Sequence, residues 1–128
     1  MNYGYQRILE TSFSDADEKV RAALQVQGFG VLTEIDVSST LKVKLDVDVK
    51  PYKILGACNP KIAHQAMSAE PGIGLLLPCN IVIRDNEDGT VSVSAIDAQK
   101  MLAITGRKDL DDLSKQVNGL LKAAIDAV

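Results

Sequence analysis

The dipeptide Asn59-Pro60 constrains this chain more than any other feature. Asparagine is a preferred helix N-cap and proline a preferred first helical residue, so a helix has to open there. Before it, Tyr52 to Cys58 is an apolar run of strand length. After it, Pro71-Gly72 closes the helix near Glu70. A second apolar run, Leu76 to Arg84, then leads through Asp85-Asn86-Glu87-Asp88-Gly89 into Thr90 to Ile96, the clearest hairpin in the chain. Strand, capped helix and hairpin follow one another without a linker, which points to a mixed fold.

The flanks extend the pattern. Tyr3 to Leu9 reads as a first strand. Ser14-Asp15-Ala16-Asp17 resembles a capping box with Ser14 as the cap, and Val20, Ala23, Leu24 and Gln27 continue at helical spacing up to Gly28. Phe29 to Val37 alternates as a second strand. Leu110, Leu113, Val117, Leu120, Leu121 and Ala124 describe a long amphipathic helix that Asp109 is placed to cap. Between these, Thr40 to Val49 supports two readings. Leu41, Val43, Leu45, Val47 and Val49 alternate with polar residues as a strand does, while Ser38 or Ser39 could cap a helix carrying Val37, Leu41 and Leu45.

At 128 residues the chain has the size of one domain, 1–128, large enough to fold without disulfide or metal staples. The expected architecture is α+β: a mostly antiparallel sheet of about four to five strands, helices on one face and a long C-terminal helix. Three Tyr, two Phe and no Trp mean an aliphatic core without a stacking platform for bases. A net charge of -3 and dispersed lysines argue against nucleic acid. Met1 to Glu10 has no apolar core of signal-peptide length. The stretch Ile73 to Ile83 is broken by Pro78 and Asn80 and is too short to span a bilayer. A cytoplasmic protein with reduced thiols, touching neither membrane nor nucleic acid, is the expectation.

The run Ile54-Leu55-Gly56-Ala57-Cys58-Asn59-Pro60, with Leu76-Leu77-Pro78-Cys79-Asn80 some twenty residues on, resembles the bacterial and archaeal family called domain of unknown function 302. The resemblance covers nearly the whole chain and brings no established reaction with it. It implies a compact α+β fold with an antiparallel sheet, association as a homodimer, and a short helix at Thr40-Leu41-Lys42, Lys44 and Leu45. That resemblance favours helix over strand for Ser38 to Leu45, with the residues after it extended.

The candidate site residues are Cys58, Asn59, Lys61, His64, Cys79 and Asn80. Cys58 precedes a capped helix, whose N–H groups and dipole favour a thiolate, and Lys61 is close in sequence. The alternative for Cys58 is a small packing residue at a strand end. Cys79 alternates with Ile81 and Ile83 and so reads as a core thiol, although neighbouring motif strands would let the two sulfurs approach. His64, the only histidine, falls with Lys61 and Ser68 on the polar side of its helix. Cys58, His64 and Cys79 make three ligands without a recognised zinc spacing, so no metal and no cofactor are expected. Asn59 has a sufficient role as a cap, and Asn80 points away from Cys79 on a regular strand. Gly72-Ile73-Gly74 reads as a turn and Asp85 to Asp88 as a solvated hairpin tip.

Two functions remain. One is a homodimeric binding or interaction module for a small molecule or protein near the two Cys-Asn motifs. The other is a thiol enzyme or redox protein using Cys58, with Cys79 as resolving thiol. No base, triad or cofactor fingerprint accompanies the thiols, which favours the binding module.

Overall fold

Five strands, β1 (Gly4–Leu9), β2 (Gly30–Asp36), β3 (Tyr52–Cys58), β4 (Cys79–Asp85) and β5 (Val91–Ile96), form a single sheet in the order β1-β5-β4-β3-β2. The structure is a computed structural model that describes residues 1–128. All neighbouring strands are antiparallel. The helices are α1 (Phe13–Val26), α2 (Val37–Leu45), α3 (Pro60–Ala69), α4 (Ala98–Ala103) and α5 (Asp111–Asp126). The α+β architecture and the long C-terminal helix are those the sequence pattern implies.

The registers put Leu55 and Ala57, Cys79, Ile81 and Ile83, and Val91, Val93 and Ala95 on one face of the sheet. All are buried, together with Val20 and Leu24 of α1 and Leu121 and Ile125 of α5. Each such fully buried aliphatic side chain contributes roughly 1.5–3 kcal/mol. The opposite face carries Ile8, Asn80, Arg84 and Ile35, all exposed. On the helix-covered face, Arg7 of β1, opposite Val93, donates through Nη1 to the carbonyls of Ile125, Asp126 and Val128 at 3.0, 2.8 and 3.3 Å. It thereby satisfies the last carbonyls of α5, which have no partner within the helix.

Several local expectations are corrected. Helix α1 opens at Phe13 and its cap is Ser12, whose hydroxyl accepts from the Asp15 amide at 3.1 Å, so Ser14 lies inside the first turn. Asp36, not Ser38 or Ser39, caps α2, accepting from Ser39 N at 3.0 Å. The helix over this segment is real. Asp46 at φ 53 ends it, and residues 46–51 form no regular element. Asp109 does not cap α5: it pairs with Arg107 in a 3-10 turn, and Leu110 stands at the cap without a side-chain bond. The stretch Pro71–Leu76 is a 3-10 segment, so Gly72-Ile73-Gly74 is helical and β4 begins only at Cys79. Helix α4 has no counterpart in the sequence reading. Asp97 caps it through Gln99 N and Lys100 N, and Asn118 of α5 donates to the same carboxylate at 2.9 Å.

Candidate functional site

The two cysteine motifs meet across β3 and β4. Ala57 lies opposite Cys79, and Gly56 opposite Asn80. Gly56 is required there: a Cβ at this position would stand 2.1 Å from Thr33 Oγ1 and 2.7 Å from Pro78 Cγ. On the far side, β3 pairs with β2, where a bulge between Val31 and Thr33 turns Leu32 out of the ladder. Just past this junction β3 gives way to α3. Asn59 Oδ1 accepts from Ile62 N at 3.4 Å, a long capping bond in the cap geometry that Pro60 favours. The amide of Asn59 also lies against Gly28, whose φ of 85° closes α1.

At this end of the sheet is a cavity of about 320 Å³. Its walls are Phe29, Leu32 and Thr33, then Ala57, Cys58 and Asn59, with Ile62, Ala63, Ala66 and Met67 of α3. Gly74, Leu77, Pro78 and Cys79, and Ala98, Met101, Leu102, Leu113 and Val117 close the other sides. No Asp, Glu, Lys, Arg or His is among them. The size is at the lower end of ligand pockets, and the apolar lining with few polar groups is their usual character.

Both cysteines are among the lining residues, although strand alternation sets Cys58 and Cys79 on opposite sides of the pleat. The reason is position. Cys58 is the last residue of β3 and Cys79 the first of β4, so the cavity reaches both around the strand ends. They are free thiols, Cys58 half-buried and Cys79 buried. Burial, with Cys58 nearby as a smaller contribution, pushes the Cys79 thiol up to about 11. It is therefore protonated at neutral pH.

Of the six sequence candidates, Cys58, Asn59 and Cys79 come together at the cavity. Lys61 and His64 do not. Both are exposed on α3, while Ile62, Ala63 and Ala66 turn inward. Asn80 is also apart, on the outer sheet face with Tyr52, Val82, Arg84 and Ser94. His64 is thus separated from the two thiols, and no cluster of three or more His, Cys, Asp or Glu is present. Sequence reasoning missed Phe29, Leu77, Met101 and Leu102 as walls. Leu113 and Val117 were visible only as members of an apolar helical stripe, which marks a core and not a cavity.

A family model described as domain of unknown function DUF302 matches residues 5–128. A crystal structure of an uncharacterized conserved DUF302 protein from Bacillus stearothermophilus has the same fold, with a TM-score of 0.91. The two chains are 24% identical, and the superposition covers 99% of this chain and 98% of that one. No curated protein matches the sequence.

Proposed function

We propose, from the premise that this chain belongs to the DUF302 family, a domain of unknown function, that it is a binding module for a small molecule. The site is the cavity between β3, α3, the 3-10 segment, α4 and α5. One observation carries the reading: Cys58, Asn59 and Cys79, from two separate motifs, border a single apolar cavity of ligand size. Naphthalene serves as a test probe, followed by amide chemical shifts. It should perturb residues around Ala63, Leu77 and Met101, and Ala63→Phe, which fills the cavity, should abolish the effect while the fold survives. Shifts unchanged in a folded Ala63→Phe variant would place the binding elsewhere and sink the reading.

Self-association belongs to the same proposal. Helix α2 has nine residues and buries none of them, and Val43, Leu45, Val47 and Val49 are exposed in and after it. Helices this short are marginal in water without tertiary packing. A second copy covering α2, related by a two-fold axis, supplies that packing. Sedimentation of Val43→Lys against the parent chain tests it: the parent should run as a dimer and the variant as a monomer. A monomeric parent refutes it. No helix is long and apolar enough to cross a membrane. We place the protein in the cytoplasm, a compartment that suits two unpaired thiols.

The thiol reading is kept as an alternative because both cysteines border the same cavity. In it Cys58 attacks, since Cys79 is held protonated, and Cys79 resolves. Hydrogen peroxide would oxidise the two thiols to one disulfide, leaving two waters. If peroxide produces no loss of two hydrogens from the intact mass, this alternative falls.

A further inference from the structure

We infer that the molecule held in the cavity is neutral and mostly hydrocarbon, with a body of roughly a dozen non-hydrogen atoms; this rests on the binding reading above. Size sets the first limit. A dry apolar cavity of about 150 Å³ accommodates benzene, and the cavity here is about 320 Å³. It therefore has room for a bicyclic body or a chain of about ten carbons.

Charge sets the second limit. The walls are carbon and sulfur apart from Thr33, Asn59 and the main chain. Asn59 has spent its side-chain oxygen on Ile62 N, and no protein partner takes its amide hydrogens. Lys61, His64 and Lys100, basic side chains that adjoin lining residues in sequence, are exposed and are not among the lining residues. None of the residues that border the cavity can supply a positive charge to an anion. An ionised carboxylate or phosphate entering here would lose its hydration and gain no counter-ion, a penalty that low-dielectric burial does not offset. A neutral head group loses far less. Nucleotides, phosphosugars and ionised fatty acids are thereby excluded. Neutral alcohols, ketones, esters and hydrocarbons of this size are admitted.

Decanol and decanoate are matched in length and differ in charge at pH 8. Calorimetric titration of the full chain with each, and of Ala63→Phe with each, separates the outcomes. Decanol should bind at least thirtyfold more tightly than decanoate, and Ala63→Phe should remove decanol binding. If decanoate binds as tightly as decanol and Ala63→Phe abolishes both, the cavity is the site but its ligand need not be neutral, and the inference fails alone. If neither binds the full chain, or both bind Ala63→Phe unchanged, the binding reading fails and takes the inference with it.

Discussion

The two Cys-Asn pairs are spelled alike and built differently. Cys58-Asn59 sits where a strand becomes a helix. Its cysteine is half-buried, and its asparagine turns back to cap α3. Cys79-Asn80 opens a strand, so alternation drives its cysteine into the core and its asparagine to the outer face. The next residue decides which. Pro60 cannot donate to a ladder and is suited to a helix start. Ile81 continues the strand and is fully buried. A dipeptide therefore has no fixed role here; the backbone it stands on assigns one. What the two pairs share is their place at adjoining strand ends, where Cys58, Asn59 and Cys79 border one cavity.

That contrast can be broken at its hinge, Gly56. Gly56→Ala forces a Cβ into Thr33 Oγ1 and Pro78 Cγ, and overpacking of this kind should cost about 3 kcal/mol. Urea unfolding measures the loss, and Thr33→Ala in the same chain should recover part of it. A change within about 0.5 kcal/mol, the range of an ordinary surface substitution, would mean that the two motifs do not press together at this point.

The difference between the thiols predicts a pH effect of similar size. In the unfolded chain Cys79 ionises near the free-cysteine value of about 8.5, and in the folded protein at about 11. Below the unfolded value both states hold the proton and the full stability is present. As pH rises from there through the folded value, the unfolded state is the one that gains, and roughly 3 kcal/mol of stability is lost. Denaturation midpoints of the parent chain and Cys79→Ala across this window should diverge in slope, with the variant flatter. Parallel slopes would show that Cys79 is not held in a dry site.

The asparagines give the smallest effects and the sharpest contrast. Removing a side-chain cap costs about 1 kcal/mol, so Asn59→Ala should lose that much while Asn59→Asp, an equally good cap, keeps most of it. Asn80→Ala, on the exposed face, should stay within about 0.5 kcal/mol. Thermal unfolding of the three variants checks the order, and equal losses at Asn59 and Asn80 would contradict it.

How much of this was legible follows from the range of each signal. Tyr52 to Cys58, the capped α3 and the hairpin rest on local rules, and the sequence pattern places them within a few residues. Helix α2 carries a strand-like alternation, and its real limits, an Asp36 cap and a left-handed Asp46, are weak signals in a sequence. Helix α4, six residues long, is too short to display a period. Its cap carboxylate is completed by Asn118 from another element, which no local rule can anticipate. The site was half legible for the same reason. Cys58, Asn59 and Cys79 announce themselves as motif residues, whereas Phe29, Leu77, Met101 and Val117 become walls only when separate elements converge. Lys61 and His64 were neighbours in sequence that one helical turn carried to the wrong side.

Thiol labelling tests most directly whether Cys58, Asn59 and Cys79 border one ligand cavity. Native protein treated with iodoacetamide should be modified at Cys58 first, with Cys79 silent until unfolding, as mass spectrometry of partly labelled chains would read. Saturating decanol should then slow Cys58 modification by at least tenfold in the parent chain and leave it unchanged in Ala63→Phe. If Cys79 reacts first, or if decanol binds while Cys58 labels at its free rate, the cysteines do not border the site and the account is wrong.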